Sequence, residues 1–425
     1  MTINRRHFNS IAGAGALTWG LSANAPALFA AGKPKVVIIG GGAGGATAAR
    51  YIAKDAKGAL DVILIEPNRK YYTCFFSNLY LGGLRDYESI GHTYEQLATV
   101  HGVNVVHDWA EAVDRDKKQV RLASGANVAY DRLIVAPGID LKYESVPGYS
   151  VAASENMPHA WKSGTEVALL KHQVENMKQG GTFVFVPPPN PYRCPPGPYE
   201  RISMIAHIFK QKNPNAKIVV LDPKPKFSKQ GLFQDGWERH YPGMIEWISP
   251  DIHGGIKGVD AEAMTVTTDF DTFKADAASV IPAQKAGTIA AKAGLTNDSG
   301  WCPINPATMQ SAMDENVHII GDASIAAAMP KSGFAANSQA KSAAMAVRAA
   351  LTDAQAFPAR YANTCWSLIA TNDGVKVGAT YKAGDAKIEP TNKFISKTGE
   401  SDDLRKQTYE ESVGWYDGIT KDIFG

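Results

Sequence analysis

Three observations on the sequence predict an α/β chain with two βαβ units and a small α+β segment at the C-terminus. A β-branched apolar run, a glycine-rich turn and an alanine-rich stretch follow one another over 35–54. An apolar run, a helical pattern and a second apolar run follow one another over 182–222. Two apolar runs flank an Asn-Asp-Gly turn over 365–381, which is typical of a hairpin. Apolar runs that alternate with helical patterns indicate parallel sheets covered by helices.

The composition limits the classes of partner. With 425 residues and 44% hydrophobic content, the chain is long enough for two or three domains with real cores. A formal net charge of +2 provides no broad basic field, which argues against nucleic acid and anionic membranes as partners. We find no apolar run of about 20 residues, so no membrane span is predicted.

The N-terminal segment, 1–31, has the pattern of a processing signal. It combines "RRHF" at 5–8, an apolar stretch at 11–21 and small residues at 23–31. The arginine pair followed by Phe8 resembles a twin-arginine signal, which exports proteins already folded around a cofactor. The sequence therefore predicts export in the folded state to a bacterial periplasm.

The first βαβ unit carries a dinucleotide-binding pattern. Gly40, Gly42 and Gly45 form a G-x-G-x-x-G turn between the predicted strand and helix, and Glu66 ends the next apolar run, 21 residues after Gly45. Glycines at these positions let main-chain N–H groups approach a pyrophosphate at the helix N-terminus, and the acid binds the ribose. We predict a Rossmann-like nucleotide-binding domain here.

Two later stretches indicate which dinucleotide is bound. Over 130–140 an apolar run breaks at Pro137-Gly138, and over 316–347 an apolar run ends in Gly321-Asp322 before a long helix. Asp322 alone could be a helix cap. Together with the glycine turn, these stretches resemble the two-dinucleotide-domain flavoproteins of the glutathione reductase-like class.

That resemblance implies FAD, with the ADP half near the glycine turn and the ribityl chain on Asp322. Gly138, Gly321 and Lys331 join the expected cofactor-binding residues, and no metal site is predicted. The resemblance also implies a discontinuous FAD domain at 32–149 and 278–347. A second Rossmann-like domain is inserted at 150–277, and a small α+β interface domain follows at 348–425.

The second domain has an unusual loop where a phosphate-binding turn is expected. "PPPNPYRCPPGPYE" at 187–200 contains seven prolines, one glycine and Cys194. Proline has no N–H to donate and fixes φ, so this loop cannot hold NADH in the usual way. A nicotinamide-dependent activity is therefore disfavoured.

The four cysteines are Cys74, Cys194, Cys302 and Cys365. In an exported protein disulfides persist, and four cysteines allow three pairings. Cys194 lies at the carboxyl edge of the second domain's first strand, and Cys365 opens the predicted hairpin. In the expected architecture both can face one side of the flavin, which favours a Cys194–Cys365 pair; an ordinary structural staple is the alternative.

"YRCPPGPYER" at 192–201, "YYTCFFSN" at 71–78 and the export-type N-terminus resemble the flavoprotein subunit of flavocytochrome c sulfide dehydrogenase, a relative of sulfide:quinone oxidoreductase. The resemblance implies that Cys74 is bonded through sulfur to the flavin 8α-methyl, the alternative being a free buried thiol. It also implies a redox-active Cys194–Cys365 disulfide that reacts with hydrosulfide. The electron acceptor would be a c-type cytochrome subunit in a heterodimer. Because the chain has no Cys-x-x-Cys-His, haem c must be on that partner.

Glu200 keeps two interpretations, and Cys302 has one. Glu200 is a candidate acid/base, or an acid that complements the start of a helix. Cys302 has no assigned partner and fits a buried structural thiol. Three rival functions also remain: a sulfide:quinone oxidoreductase, a non-catalytic electron-transfer flavoprotein with a structural disulfide, and a pyridine-nucleotide disulfide reductase.

Overall fold

The first sheet organises the chain. The computed structural model describes residues 32–425, so the predicted export signal at 1–31 lies outside the described residues. The sheet has six strands, in the spatial order Gln310–Ser311, Asp314–Ile319, Arg132–Val135, Lys35–Ile39, Asp61–Ile65 and Asn104–Val106. All neighbours are parallel except the first two. In the strand Lys35–Ile39, the four residues after Lys35 form an unbroken apolar run and are buried, because helices and loops cover both faces of the strand.

The second sheet has four parallel strands, in the order Ile245–Ile248, Lys217–Leu221, Thr182–Val186 and Ala277–Val280. The last of these strands is buried throughout and pairs along its length with Thr182–Val186. The predicted domain boundary at 277/278 therefore falls inside this strand, and the chain leaves the sheet only after Val280. The mixed α/β class with two parallel sheets is confirmed.

The C-terminal segment forms a three-stranded antiparallel sheet, Arg360–Ala370, Asp373–Ala383 and Ile388–Ile395, followed by the helix Asp402–Phe424. The predicted hairpin is confirmed, and Asn372 in its turn has the left-handed φ of +60°. Cys365 does not open the hairpin, however. The first strand begins five residues earlier, at Arg360, so Cys365 lies in the middle of that strand, opposite Val377.

The helices that position the site are Ala43–Ala56, Gly197–Lys212, Gln230–His240 and Gly333–Leu351. The first and last of these pack closely because small residues face each other: Gly44 lies against Ala336, and Ala340 and Ala343 are fully buried. The N-termini of both helices consequently open at the carboxyl edge of the first sheet.

Shorter elements complete the fold. The remaining helices are Ser77–Leu81, Glu95–Thr99, Thr165–Glu175, Pro250–His253 and Thr288–Lys292. The remaining strands pair as Lys70–Tyr72 with Gly91–Thr93; Ile139–Lys142 with Ala283–Ala286; Ala110–Asp114, Gln119–Leu122 and Asn127–Ala129; and Ile256–Asp260, Thr265–Thr268 and Thr272–Lys274. Among residues 32–425, no helix combines the length and the apolar character that crossing a membrane requires.

Candidate active site

A cavity of about 950 Å³ lies along the carboxyl edge of the first sheet. It runs between the glycine turn after the first strand and the Gly321-Asp322 turn. Its walls include the following predicted site residues: Gly40, Gly42, Glu66, Cys74, Gly138, Gly321 and Asp322. Seven of the predicted cofactor-binding residues therefore meet in one cavity.

The glycine turn has the geometry that its sequence predicts. Gly40 has a φ of +97°, a conformation that residues with a Cβ rarely adopt. A Cβ on Gly45 would overlap the carbonyl oxygen of Gly40, so Gly45 permits the close packing of helix against turn instead of lining the cavity. The carboxylate of Glu66 accepts a hydrogen bond from the N–H of Gly41 at 2.8 Å and one from the N–H of Asn68 at 2.9 Å. Glu66 thus braces the turn while it faces the cavity.

The other end of the cavity presents a buried carboxylate. Asp322 Oδ1 has no hydrogen-bond partner within the described part of the chain, and Asp322 Oδ2 lies 3.8 Å from Nη1 of Arg193. Burial raises the pKa of Asp322, although Arg193 and Lys331 oppose that shift. An unpartnered acceptor on a cavity wall is suited to a hydroxyl of a bound molecule.

Lys331 does not line this cavity. Its ammonium donates to the carbonyl oxygens of Asp322 at 2.7 Å and Ser324 at 2.8 Å, and it lies 3.7 Å from the centroid of the Trp301 ring. Burial lowers the pKa of Lys331 to about 8. Lys331 therefore fixes the loop that carries Asp322.

A second, smaller cavity of about 80 Å³ brings the predicted catalytic residues together. Cys194, Cys365 and Glu200 line it, and Cys74 lines both cavities. The wall that separates the two cavities consists of residues common to both linings: Cys74, Phe75, Arg193, Ser332 and Gly333. The cysteine cavity therefore borders the larger one directly.

The proline loop holds Cys194 in an unusual conformation. Cys194 has a φ of +59°, in the left-handed region. Its N–H donates to the carbonyl oxygen of Lys331 at 2.7 Å, and the Tyr192 hydroxyl donates to the carbonyl oxygen of Pro195 at 2.8 Å. Gly197, which begins the next helix, packs directly under the Cys194 sulfur. The loop thus fixes the direction in which the cysteine points.

Cys365 approaches from the C-terminal sheet. It is buried, and Lys229 donates from its ammonium to the Cys365 carbonyl oxygen at 3.0 Å and to the Ser367 hydroxyl at 2.8 Å. Burial lowers the pKa of Lys229 to about 8. Burial also raises the pKa of both the Cys194 and the Cys365 thiols. All four cysteines are thiols in this structure, and Cys302 is fully buried away from both cavities.

Glu200 lies in the first turn of the helix Gly197–Lys212, and its carboxylate makes hydrogen bonds outside that helix. Its carboxylate accepts from the side-chain amide of Asn78 at 2.8 Å and from the main-chain N–H of Leu368 at 2.9 Å. It therefore connects the second domain to the helix Ser77–Leu81 and to the C-terminal sheet. Burial raises its pKa, so a proton is held there more readily than on an exposed glutamate.

Three residues of the site were not predicted from the sequence. Arg193 lines both cavities, and its position beside Cys194 in the quoted motif was the available signal. Lys229 comes from a distant part of the chain and carries no local pattern, and the packing of the second domain against the C-terminal sheet brings it to Cys365. Asn363 lies two residues before Cys365 on the same strand, and that spacing was the available signal.

Comparisons with known proteins agree with this geometry. Residues 167–282 match the family model "Sulfide dehydrogenase (flavocytochrome c) flavoprotein chain, central", and residues 357–424 match "Flavocytochrome c sulphide dehydrogenase, flavin-binding". A sulfide dehydrogenase (flavocytochrome c) flavoprotein chain from Chlorobaculum thiosulfatiphilum is 45% identical over 47 residues, which are 11% of this chain and 96% of that relative. The chain belongs to the flavocytochrome c sulfide dehydrogenase flavoprotein family.

Other similarities place the family in a wider class. Residues 34–176 of this flavoprotein match the pyridine nucleotide-disulphide oxidoreductase model. The mitochondrial sulfide:quinone oxidoreductase of Mus musculus is 23% identical over 68% of this chain, and the chain spans 65% of that relative's length. The crystal structure of the sulfide:quinone oxidoreductase from Aquifex aeolicus superposes with a TM-score of 0.69 at 18% identity, covering 92% of each chain. That last similarity shows the fold.

The larger cavity fits a flavin cofactor. Its volume suits a dinucleotide. The glycine turn leaves room for a pyrophosphate at the N-terminus of helix Ala43–Ala56, and the unpartnered Asp322 oxygen suits a ribityl hydroxyl. The cofactor of this flavoprotein is thus a flavin, and the residues present on the cavity wall can hold it.

Proposed function

We propose that this flavoprotein oxidises hydrosulfide to sulfur or polysulfide in a bacterial periplasm, using FAD and a redox-active Cys194–Cys365 disulfide. Electrons then pass to a c-type cytochrome subunit, which carries the haem, in a heterodimer. The observation that supports this function is the meeting of Cys194 and Cys365 in one small cavity whose wall borders the cofactor cavity.

The cysteine cavity is suited to a small anion. Arg193 and Arg201 line it, so cationic side chains face an incoming hydrosulfide. Its remaining walls include the aromatic side chains of Trp161, Phe334 and Trp415. Hydrosulfide attack on a disulfide is ordinary thiol–disulfide exchange and needs no metal.

Glu200 is placed to handle protons in this cavity. Burial raises its pKa, so it holds a proton more readily than an exposed glutamate, while its hydrogen bonds to Asn78 and Leu368 keep the carboxylate in position. We assign it the acid/base role for proton transfer to and from the sulfur species.

FAD, when bound, would accept the electron pair released at the disulfide. Gly40 and Gly42 would hold its pyrophosphate and Glu66 the adenosine ribose, while Asp322 would hold the ribityl chain. Cys74 lies on the wall common to both cavities, which supports a covalent 8α-S-cysteinyl bond to the ring. Acid precipitation of the purified protein tests that bond: yellow flavin should remain on the Cys74 peptide, and flavin released into the supernatant would rule it out.

Anaerobic flavin reduction by sulfide tests the function itself. We expect rapid bleaching of the wild-type flavin, and a rate at least about a hundredfold lower in Cys194→Ser and in Cys365→Ser, because each removes a reacting sulfur. Cys302→Ser is the matched control, since Cys302 lines neither cavity, and it should bleach like the wild type. Undiminished bleaching in Cys194→Ser would instead support a non-catalytic flavoprotein with a structural disulfide. Rapid bleaching by NADH would revive the pyridine-nucleotide disulfide reductase.

The electron acceptor requires a separate measurement, because several relatives are sulfide:quinone oxidoreductases. We expect sulfide-dependent reduction of a c-type cytochrome to exceed reduction of a soluble quinone analogue. Preferential quinone reduction would identify the protein as a quinone reductase.

For localisation, replacing the arginine pair Arg5-Arg6 by lysines should retain the protein in the cytoplasm.

A further inference from the structure

The sulfur of Cys365 receives a directed hydrogen bond. The side-chain amide Nδ2 of Asn363 lies 3.3 Å from Cys365 Sγ. The two residues are two positions apart on the strand Arg360–Ala370, so both side chains point to the same inner face. Asn363 is 2% exposed, so water does not compete for this contact.

Ser332 sets the orientation of that amide. Its hydroxyl oxygen accepts from the N–H of Ala335 at 3.1 Å, as the N-cap of the helix Gly333–Leu351. The hydroxyl hydrogen is then donated to Asn363 Oδ1 at 2.5 Å. Because Oδ1 is occupied in this way, the N–H donors of the amide face Cys365.

Cys194 has no such donor. Across residues 32–425, no hydrogen bond reaches Cys194 Sγ, and this side chain is more exposed than that of Cys365. The charged or titratable groups around Cys365 are Cys194, Glu200 from its helix, Lys229 from the second domain and Tyr381 from the adjacent strand. Of these, Lys229 is the cation, and its ammonium contacts the Cys365 carbonyl oxygen.

We propose that Asn363, oriented by Ser332, is a positioning residue that stabilises a thiolate on Cys365 and so makes Cys365 the leaving sulfur and Cys194 the site of the persulfide. This inference rests on the proposed function. Hydrosulfide donates an electron pair to Cys194 Sγ and forms a new S–S bond, while the Cys194–Cys365 bond breaks and its electron pair stays on Cys365. The negative charge that hydrosulfide brings in therefore ends on the Cys365 thiolate. Exchange is faster when the departing thiol is the more acidic one.

The site of the persulfide can be read directly. The oxidised, flavin-loaded, full-length protein is mixed anaerobically with sulfide, quenched with iodoacetamide and digested for peptide mass spectrometry. We expect one extra sulfur on the Cys194 peptide and a simple alkylated thiol on the Cys365 peptide. An extra sulfur on the Cys365 peptide would overturn the inference.

The role of Asn363 is tested without sulfide. In the fully reduced protein, the alkylation rate of each cysteine is measured as a function of pH, and the midpoint of that dependence is determined. The midpoint is compared instead of the rate, because limited access of the reagent lowers the rate but does not move the midpoint. We expect Asn363→Ala to raise the Cys365 midpoint by about one unit, which is a tenfold smaller thiolate fraction below the midpoint, and to leave the Cys194 midpoint almost unchanged. Asn363→Asp keeps the size and the acceptor for Ser332 but removes the donor, so it should raise the Cys365 midpoint further.

Asn213→Ala is the matched control for losing a buried amide. Asn213 is 3% exposed and donates to the carbonyl oxygen of Lys178 at 2.8 Å, in a part of the chain that lines neither cavity. It should leave both midpoints unchanged. An unshifted Cys365 midpoint in both Asn363 variants would overturn the positioning role. Sulfide adducts on neither cysteine would overturn the proposed function and the persulfide assignment, while the reduced-protein titration still decides the role of Asn363.

Discussion

The main-chain N–H of Cys194 donates a hydrogen bond to the carbonyl oxygen of Lys331, with an N···O distance of 2.7 Å. The ammonium of the same lysine donates to the carbonyl oxygens of Asp322 and Ser324. One residue thus joins the cysteine loop of the second domain to the loop that holds the Asp322 carboxylate. Cofactor binding and cysteine placement share this connection.

Lys331→Met should change how stability depends on pH. Burial lowers the pKa of Lys331 to about 8 from an ordinary value of 10.5. Between these values the unfolded chain holds a proton that the folded chain has released, so the Lys331 contribution to stability rises with pH. Urea unfolding at pH 7.5, 9 and 10.5 should show the wild type gaining about 3 kcal/mol relative to Lys331→Met. Lys382→Met, at an exposed lysine, should keep a constant difference from the wild type; a constant difference for Lys331→Met would contradict this account.

Glu200→Gln should show the opposite trend at lower pH. Burial raises the pKa of Glu200, so above its ordinary pKa of 4.5 the folded chain retains a proton that the unfolded chain has lost. The wild type therefore loses stability, relative to Glu200→Gln, as the pH rises above about 4.5. Urea titrations across this window, with exposed Glu238→Gln as the control, measure the difference. Parallel curves for the wild type and Glu200→Gln would mean that Glu200 ionises freely.

Local patterns in the sequence predicted much of the fold and of the cofactor cavity. The glycine turn and the run to Glu66 predicted a strand, a tight turn and a helix, because glycine without a Cβ is the residue that such a turn requires. The proline loop was correctly placed between the strand Thr182–Val186 and the helix Gly197–Lys212. These features depend on neighbours within about 20 residues.

The rest depends on contacts between distant segments. The polar stretch over 396–425 gave no apolar run, yet it contains the 23-residue helix Asp402–Phe424, because a partly buried stripe packs on the C-terminal sheet and on helix Ala43–Ala56. Lys331 was grouped with the cofactor-binding residues, but its side chain turns away to main-chain carbonyls. The spacing of Asn363 and Cys365 predicts that they share a face of their strand, but no sequence pattern could reveal that Ser332 would contact the Asn363 amide.

His318 should make the protein sensitive to acid. It is 1% exposed, its Nδ1 is hydrogen-bonded to the carbonyl oxygen of Thr308 at 2.9 Å, and burial lowers its pKa to about 4. From pH 6.5 downward the unfolded chain gains a proton that the folded chain resists, so stability falls as the pH approaches 4. We expect the wild type to lose about 3 kcal/mol over this range relative to His318→Asn. His172→Asn, at an exposed histidine, serves as the control, and an equal acid loss in wild type and His318→Asn would exclude His318 as the cause.

Gly45→Ala should disrupt the nucleotide turn. A Cβ at this position would overlap the carbonyl oxygen of Gly40, and a backbone atom cannot move aside as the end of a flexible side chain can. The helix Ala43–Ala56 must then separate from the turn, which displaces the N–H groups expected to face the pyrophosphate. We expect a large loss of bound flavin together with a lower free energy of unfolding. Gly418→Ala is the matched helical control: nothing lies within 4 Å of the added Cβ, so it should be neutral or stabilise the protein by about 0.5–1 kcal/mol. Full flavin content and unchanged stability in Gly45→Ala would show that the turn tolerates a side chain. The close packing of the helix against the turn would then not be the reason for a glycine at this position.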